Sequence, residues 1–236
     1  PLCSCGYPSS YTKGNEEADI LMNTRFKNVG AFLRADFPLT FKNSLLLTVG
    51  YLLLIPIIRG ISNLNAVQSA QCLAQSGAFI GILIMVPITE HELASGIRDI
   101  LCTKSRPYAK SILIRLTCGF LLVSLFIFAL TFAMRANGSS FPLPLFGGAT
   151  VLYALFLGLL GLFTAQLGGS VTAGYLAAAG YWSFCHLQII RESSCLYFFP
   201  IVEGELSPLK TVSLLAADLL LLLFFFVTVR RSRDTF

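Results

Sequence analysis

Two groups of residues have the types and spacing to carry chemistry. The first is the charged stretch EHELASGIRDILCTKSRPYAKSILIRL over Glu90–Leu116, with Glu90, Glu92 and Asp99 beside Arg98, Lys104, Arg106, Lys110 and Arg115. Charge at that density must lie in water or against a partner, not in hydrocarbon. The second group lies inside apolar runs. Gln68, Gln71 and Gln75 fall on one face of a helix at three- and four-residue spacing, and Tyr175, Trp182 and His186 lie close together on another. Such polar and aromatic faces suit the lining of a substrate path. Interhelical hydrogen bonding uses the same glutamines, and anchoring at the membrane interface uses the same tryptophan. Hydrolytic chemistry finds less support. Glu90, His91 and Glu92 make no HExxH pair, and the only other histidine, His186, is far off in the chain. Seven cysteines, Cys3, Cys5, Cys72, Cys102, Cys118, Cys185 and Cys195, show no metal-ligand or disulfide-scaffold spacing. No metal site is expected. A Cys72–Cys195 bridge is compatible with the topology below but not demanded by it.

Composition then says what must position these residues. Of 236 residues 55% are hydrophobic and 12% charged, against about 25% charged in an ordinary soluble domain. The fold class expected is an all-α integral membrane protein with six transmembrane helices, and the basic balance is not taken as a sign of nucleic-acid binding. Residues 1–23 read as a polar tail without the apolar core of a signal peptide, and residues 24–236 as a single transmembrane domain. An amphipathic surface helix is expected over 24–38, where Phe26, Val29, Leu33 and Phe37 recur between cations. Spans are expected at about 41–58, 70–89, 112–134, 145–167, 171–190 and 211–229. Ala154, Gly158, Gly161, Ala165 and Gly169 line one side of the fourth, where small residues let helices approach closely. Between the fifth and sixth, the block Leu196–Val202 is too short to span and predicts a re-entrant or surface hairpin.

The cations set the orientation. Of the 17 Lys and Arg residues, twelve fall on the side of the two termini and the Glu90 loop. Four, Arg59, Arg135, Arg191 and Lys210, fall on the other, with Arg115 just inside the third span. The positive-inside rule then places both termini and the loop in the cytoplasm, with the chain in the plasma membrane.

Six spans, a surface helix before the first and a charged cytoplasmic loop between the second and third make the chain similar to the permease subunits of type-2 ATP-binding-cassette exporters. That family tends to have a Glu, a Gly-Thr, a leucine-rich turn ending in Thr, a Ser-Arg pair and a Lys opening the next span. The matching positions are Glu92, Gly96, Leu101, Thr103, Ser105 with Arg106, and Arg115. Ile97 replaces the Thr, Pro107 follows rather than precedes the pair, and Arg115 replaces the Lys. The resemblance implies a coupling loop that includes Glu90, Glu92, Gly96, Arg98, Leu101, Ser105, Arg106 and Arg115. It also implies a bacterial exporter with separate cytoplasmic ATPase subunits, a second permease chain, identical or related, and surrounding membrane lipid. No GxxxxGK[ST] phosphate loop occurs in the sequence. ATP and Mg would therefore be bound on the partner, and this chain is expected to be a transport subunit with no cofactor of its own. Sparse charge and aromatic faces suggest a hydrophobic or amphipathic substrate such as a drug, a lipid-linked molecule or a small peptide. An ion-coupled carrier and an intramembrane hydrolase are the alternatives. The first asks for charge at mid-membrane, of which almost none is expected in the spans.

Overall fold

A computed structural model of the chain describes residues 37–38, 40–90, 108–187, 189–190, 199, 201–202 and 205–234. The chain divides into two compact units, 1–39 and 40–236. In the first, only Phe37 and Pro38 are described, both helical, so most of the expected surface helix over 24–38 lies outside the described residues. The second unit is all-α, with six helices: α1 (Thr40–Arg59), α2 (Ala66–Thr89), α3 (Tyr108–Ala136), α4 (Leu143–Gly168), α5 (Val171–His186) and α6 (Pro208–Asp234). Five of them, all but α5, are long and apolar enough to cross a membrane. Among the described residues the one extended pairing is a hairpin, β1 (Ile201–Val202) with β2 (Glu205–Leu206).

Burial separates the helices into two kinds. Within their apolar windows α2 and α4 are 89% and 78% buried, whereas α1, α3 and α6 are 22%, 28% and 17% buried. The outer faces of the latter three carry large apolar side chains, including Leu46, Ile57, Leu121, Phe132 and Leu219. Apolar surface on that scale is ordinary in lipid and untenable in water. The chain is thus a multi-pass membrane protein with α2 and α4 as its axis.

Small residues allow that axis to form. Gly81 of α2 has the backbone carbonyl of Ala154 where a side chain would begin. A methyl group at Gly158 would meet Met85 at 2.6 Å, and one at Gly161 would meet Val86 at 2.5 Å and Ala178 of α5 at 3.1 Å. The small side of α4 therefore faces α2 and α5 with backbones nearly touching, as its spacing predicts. Gly169 does not share this use. It caps α4 in the left-handed conformation at φ 62°, with its N–H on the Ala165 carbonyl and open space about it. Gly169→Val should cost about 1–2 kcal/mol through backbone strain alone, measurable as a lower thermal midpoint in detergent with unchanged helix content.

The end of the bundle bearing the α1–α2 and α3–α4 turns is termed the upper end here. Its loops are stitched together: the Asn63 N–H donates to the Asn137 carbonyl (3.0 Å) and the Ser140 N–H to the Leu64 carbonyl (3.2 Å). The buried Ser139 hydroxyl donates to Ile61 O (3.1 Å) and accepts from the Leu64 N–H (3.3 Å). The Asn137–Gly138–Ser139 triplet, a glycosylation pattern by sequence, is in the fold part of this loop contact.

The fifth helix departs from expectation. It stops at His186 instead of running to residue 190, and its 16 residues rise about 24 Å, short of a hydrocarbon core of about 30 Å. Part of the remaining depth is filled by the following segment. Phe199 and Ile201 are buried in the core, and Phe199 meets Tyr153 of α4 edge-on at 5.3 Å. A hairpin after the fifth helix was expected. The burial of Phe199 and Ile201 in the core is what the structure adds.

Candidate functional site

The site is built around an irregular turn in α2. Residues Leu73–Gly77 form a π-helical turn, and Val86–Thr89 a 3-10 turn. Each has a local cause or consequence. Pro87 has no N–H to offer the Leu83 carbonyl four residues back, and that carbonyl accepts the Ser44 hydroxyl of α1 instead. In the π turn, the Ala78 N–H reaches Leu73 O (2.9 Å), five residues back. The carbonyls of Gln75 and Ser76 in this turn take side-chain donors from neighbouring helices. Trp182 Nε1 of α5 donates to Gln75 O at 2.8 Å, and the Tyr51 hydroxyl of α1 donates to Ser76 O at 3.1 Å. π-Helical turns occur frequently at functional sites.

Rings close around this turn. Tyr51 lies 5.4 Å from Phe79, Phe79 lies 5.1 Å edge-on from Trp182, and Trp182 stacks on His186 at 5.3 Å. These four aromatic rings run in a row across α1, α2 and α5. Two polar atoms of residues in this cluster, Gln75 Oε1 and His186 Nδ1, are buried with no hydrogen-bond partner. Leaving such atoms unpaired costs about 1–3 kcal/mol each. The arrangement provides flat apolar faces, one fixed acceptor, and an imidazole nitrogen that donates or accepts according to its tautomer.

The sequence-derived residues divide accordingly. Gln75, Trp182 and His186 come together. Gln68 is exposed at the start of α2, where its Oε1 accepts the Asn65 N–H (3.2 Å) and closes the helix end. Gln71 is exposed. Gln75, by contrast, is half-buried and lies within the π turn itself. Tyr175 lies seven residues, about 10 Å, below Trp182, within electrostatic reach of Glu90. Of the loop set only Glu90 and Arg115 are described; Glu92, Gly96, Arg98, Leu101, Ser105 and Arg106 lie outside the described residues. Cys72 is a free, buried thiol, and Cys195 is also outside the described residues. Among the described residues, no three His, Cys, Asp or Glu side chains gather as metal ligands would.

Sequence reasoning missed Tyr51, Ser76 and Phe79, for which no periodic signal exists, and Asp218, which stands out as a lone carboxylate in an apolar run. Asp218 is the sole carboxylate within the five apolar spans. It interrupts α6, which otherwise reads as leucine and phenylalanine. The spans are therefore not free of buried charge-bearing groups, and the objection to an ion-coupled carrier loses its basis.

No protein-family model matches the sequence, and no curated protein or solved structure does.

Proposed function

We propose that the chain is the membrane-spanning subunit of a transporter, of the type-2 ATP-binding-cassette exporter kind, and that the Tyr51–Phe79–Trp182–His186 row is where an amphipathic substrate docks. The observation that carries this reading is the pairing of two unpartnered buried polar atoms with an aromatic wall at an irregular turn of the most buried helix. Energy would come from a separate ATPase engaging the Glu90–Arg115 loop, a reading supported by the loop's residue pattern. A second, related or identical permease chain would complete the path, with both termini in the cytoplasm. ATP chemistry would reside on the partner.

Glu92→Lys and Gly96→Val are expected to leave membrane insertion intact and to uncouple ATP hydrolysis by the co-purified ATPase from export, reducing transport per ATP at least about tenfold, or ~1.4 kcal/mol of coupling. Normal export by both variants would remove the loop from the mechanism. Asp218 favours a second reading, an ion-coupled carrier. The two part cleanly in vesicles: an exporter subunit stays silent without its ATPase, while a carrier moves substrate on a pH gradient alone.

A further inference from the structure

Asp218 occupies the middle of the 21-residue apolar span Pro208–Thr228. It lies on the buried stripe of α6, with Leu214 four residues before it and Phe225 seven after, both fully buried, and Leu221 packed against the core. Both carboxyl oxygens are closed to solvent and neither has a hydrogen-bond partner.

The groups that face it offer no compensating charge. α6 packs chiefly on α4 and more lightly on α3. α4 has no charged residue, and its one titratable side chain, Tyr153, is turned to Phe199 and Phe156. On α3 the titratable groups are Arg115 and Cys118 toward the lower end and Arg135 at the upper end, with Tyr108 and Lys110 in the first turn. On α6 itself Lys210 is two turns above Asp218, and Arg230, Arg231 and Arg233 are three or more turns below.

An ionised carboxylate left unpaired in such surroundings is too costly to persist, and the usual resolution is neutralisation. The occupant must also fit. Neither oxygen has accessible surface, and among the described residues no three His, Cys, Asp or Glu side chains gather as metal ligands would. A proton, which needs no space of its own, is the occupant that fits.

We propose that Asp218 is a proton-binding site: its carboxylate takes one proton to become a neutral carboxylic acid while α6 lies on α4, and gives that proton to water when the two helices part. Proton occupancy and the docking of α6 are thereby linked equilibria, each favouring the other. This holds whichever source of energy drives the protein, so its test stands apart from that of the transport reading.

The direct measurement is infrared difference spectroscopy of the intact chain in lipid vesicles, wild type against Asp218→Asn. The expected result is a protonated-carboxyl carbonyl band in wild type near neutral pH, shifted by deuterium exchange and missing from the variant. Asn is neutral and nearly isosteric, so the variant should fold. A second readout is thermal stability against pH. The folded wild type holds a proton that the unfolded chain releases at mildly acidic pH, so its midpoint should fall as pH rises from about 5 to about 9. The midpoint of Asp218→Asn should fall less over the same interval. A wild-type spectrum showing only ionised carboxylate at position 218, or identical pH dependence in the two proteins, would overturn the proposal.

Discussion

Gly81→Ala is expected to be among the most damaging single-methyl changes in the chain, costing about 3 kcal/mol, the upper part of the range for overpacking a filled interior. The reason is the identity of the obstacle. The new carbon would meet the Ala154 carbonyl, which belongs to the backbone of α4 and cannot rotate aside as a side chain can. α2 and α4 would have to separate along their whole contact, loosening the neighbouring Met85–Gly158 and Val86–Gly161 contacts. Gly148→Ala supplies the control, since nothing lies within 4 Å of its new methyl group. It should be neutral or slightly stabilising, by up to about 1 kcal/mol, because alanine favours the helix. Thermal unfolding of both variants in one detergent checks the pair. Equal midpoints would mean that the close approach of α2 and α4 is not what holds the bundle.

Trp182→Ala is expected to lower both stability and ligand binding, whereas Trp182→Phe should separate the two. Alanine removes a ring that touches Phe79 and His186, and it removes the donor to Gln75 O. Trp182 is only half-buried, which places the cost near the lower end of the range for such truncations, about 3 kcal/mol. Phenylalanine preserves most of the stacking surface but leaves the π-turn carbonyl without its donor, a loss of about 1–2 kcal/mol. If substrate rests on the ring row, Trp182→Ala should weaken binding at least about tenfold, or ~1.4 kcal/mol, with a smaller change for Phe. A screen of amphipathic compounds by the heat stabilisation they confer would read this directly. Stabilisation of Trp182→Ala equal to that of wild type by the same compound would move the docking site elsewhere.

The two sets of residues also show how far linear reasoning reaches. The run of small residues in α4 was legible because Ala154, Gly158, Gly161 and Ala165 recur at helical spacing, and spacing alone puts them on one side. Gly169 follows the same spacing, but it ends α4 in the left-handed backbone that glycine tolerates, a role that spacing does not show. The burial of the glutamines was not legible. Gln68, Gln71 and Gln75 share a face by spacing, but Gln68 and Gln71 are exposed whereas Gln75 is half-buried within the π turn at Leu73–Gly77. The length of α5 was overestimated for a related reason. The apolar residues through Ile190 continue the run, but the helix ends at His186, and Phe199 from further along the chain reaches the core beside Tyr153.

By itself the sequence determined that this is a helical protein of the membrane, roughly where its helices lie and which side of α4 must pack, because those are properties of residue type repeated along one axis. Which carbonyls of α2 are offered to Trp182 and Tyr51, which polar atoms are left without partners, and whether Asp218 faces lipid or the interior were decided only in the tertiary structure. Those outcomes depend on what a neighbouring helix presents at the same depth, and residues distant in sequence meet there without leaving any periodic trace.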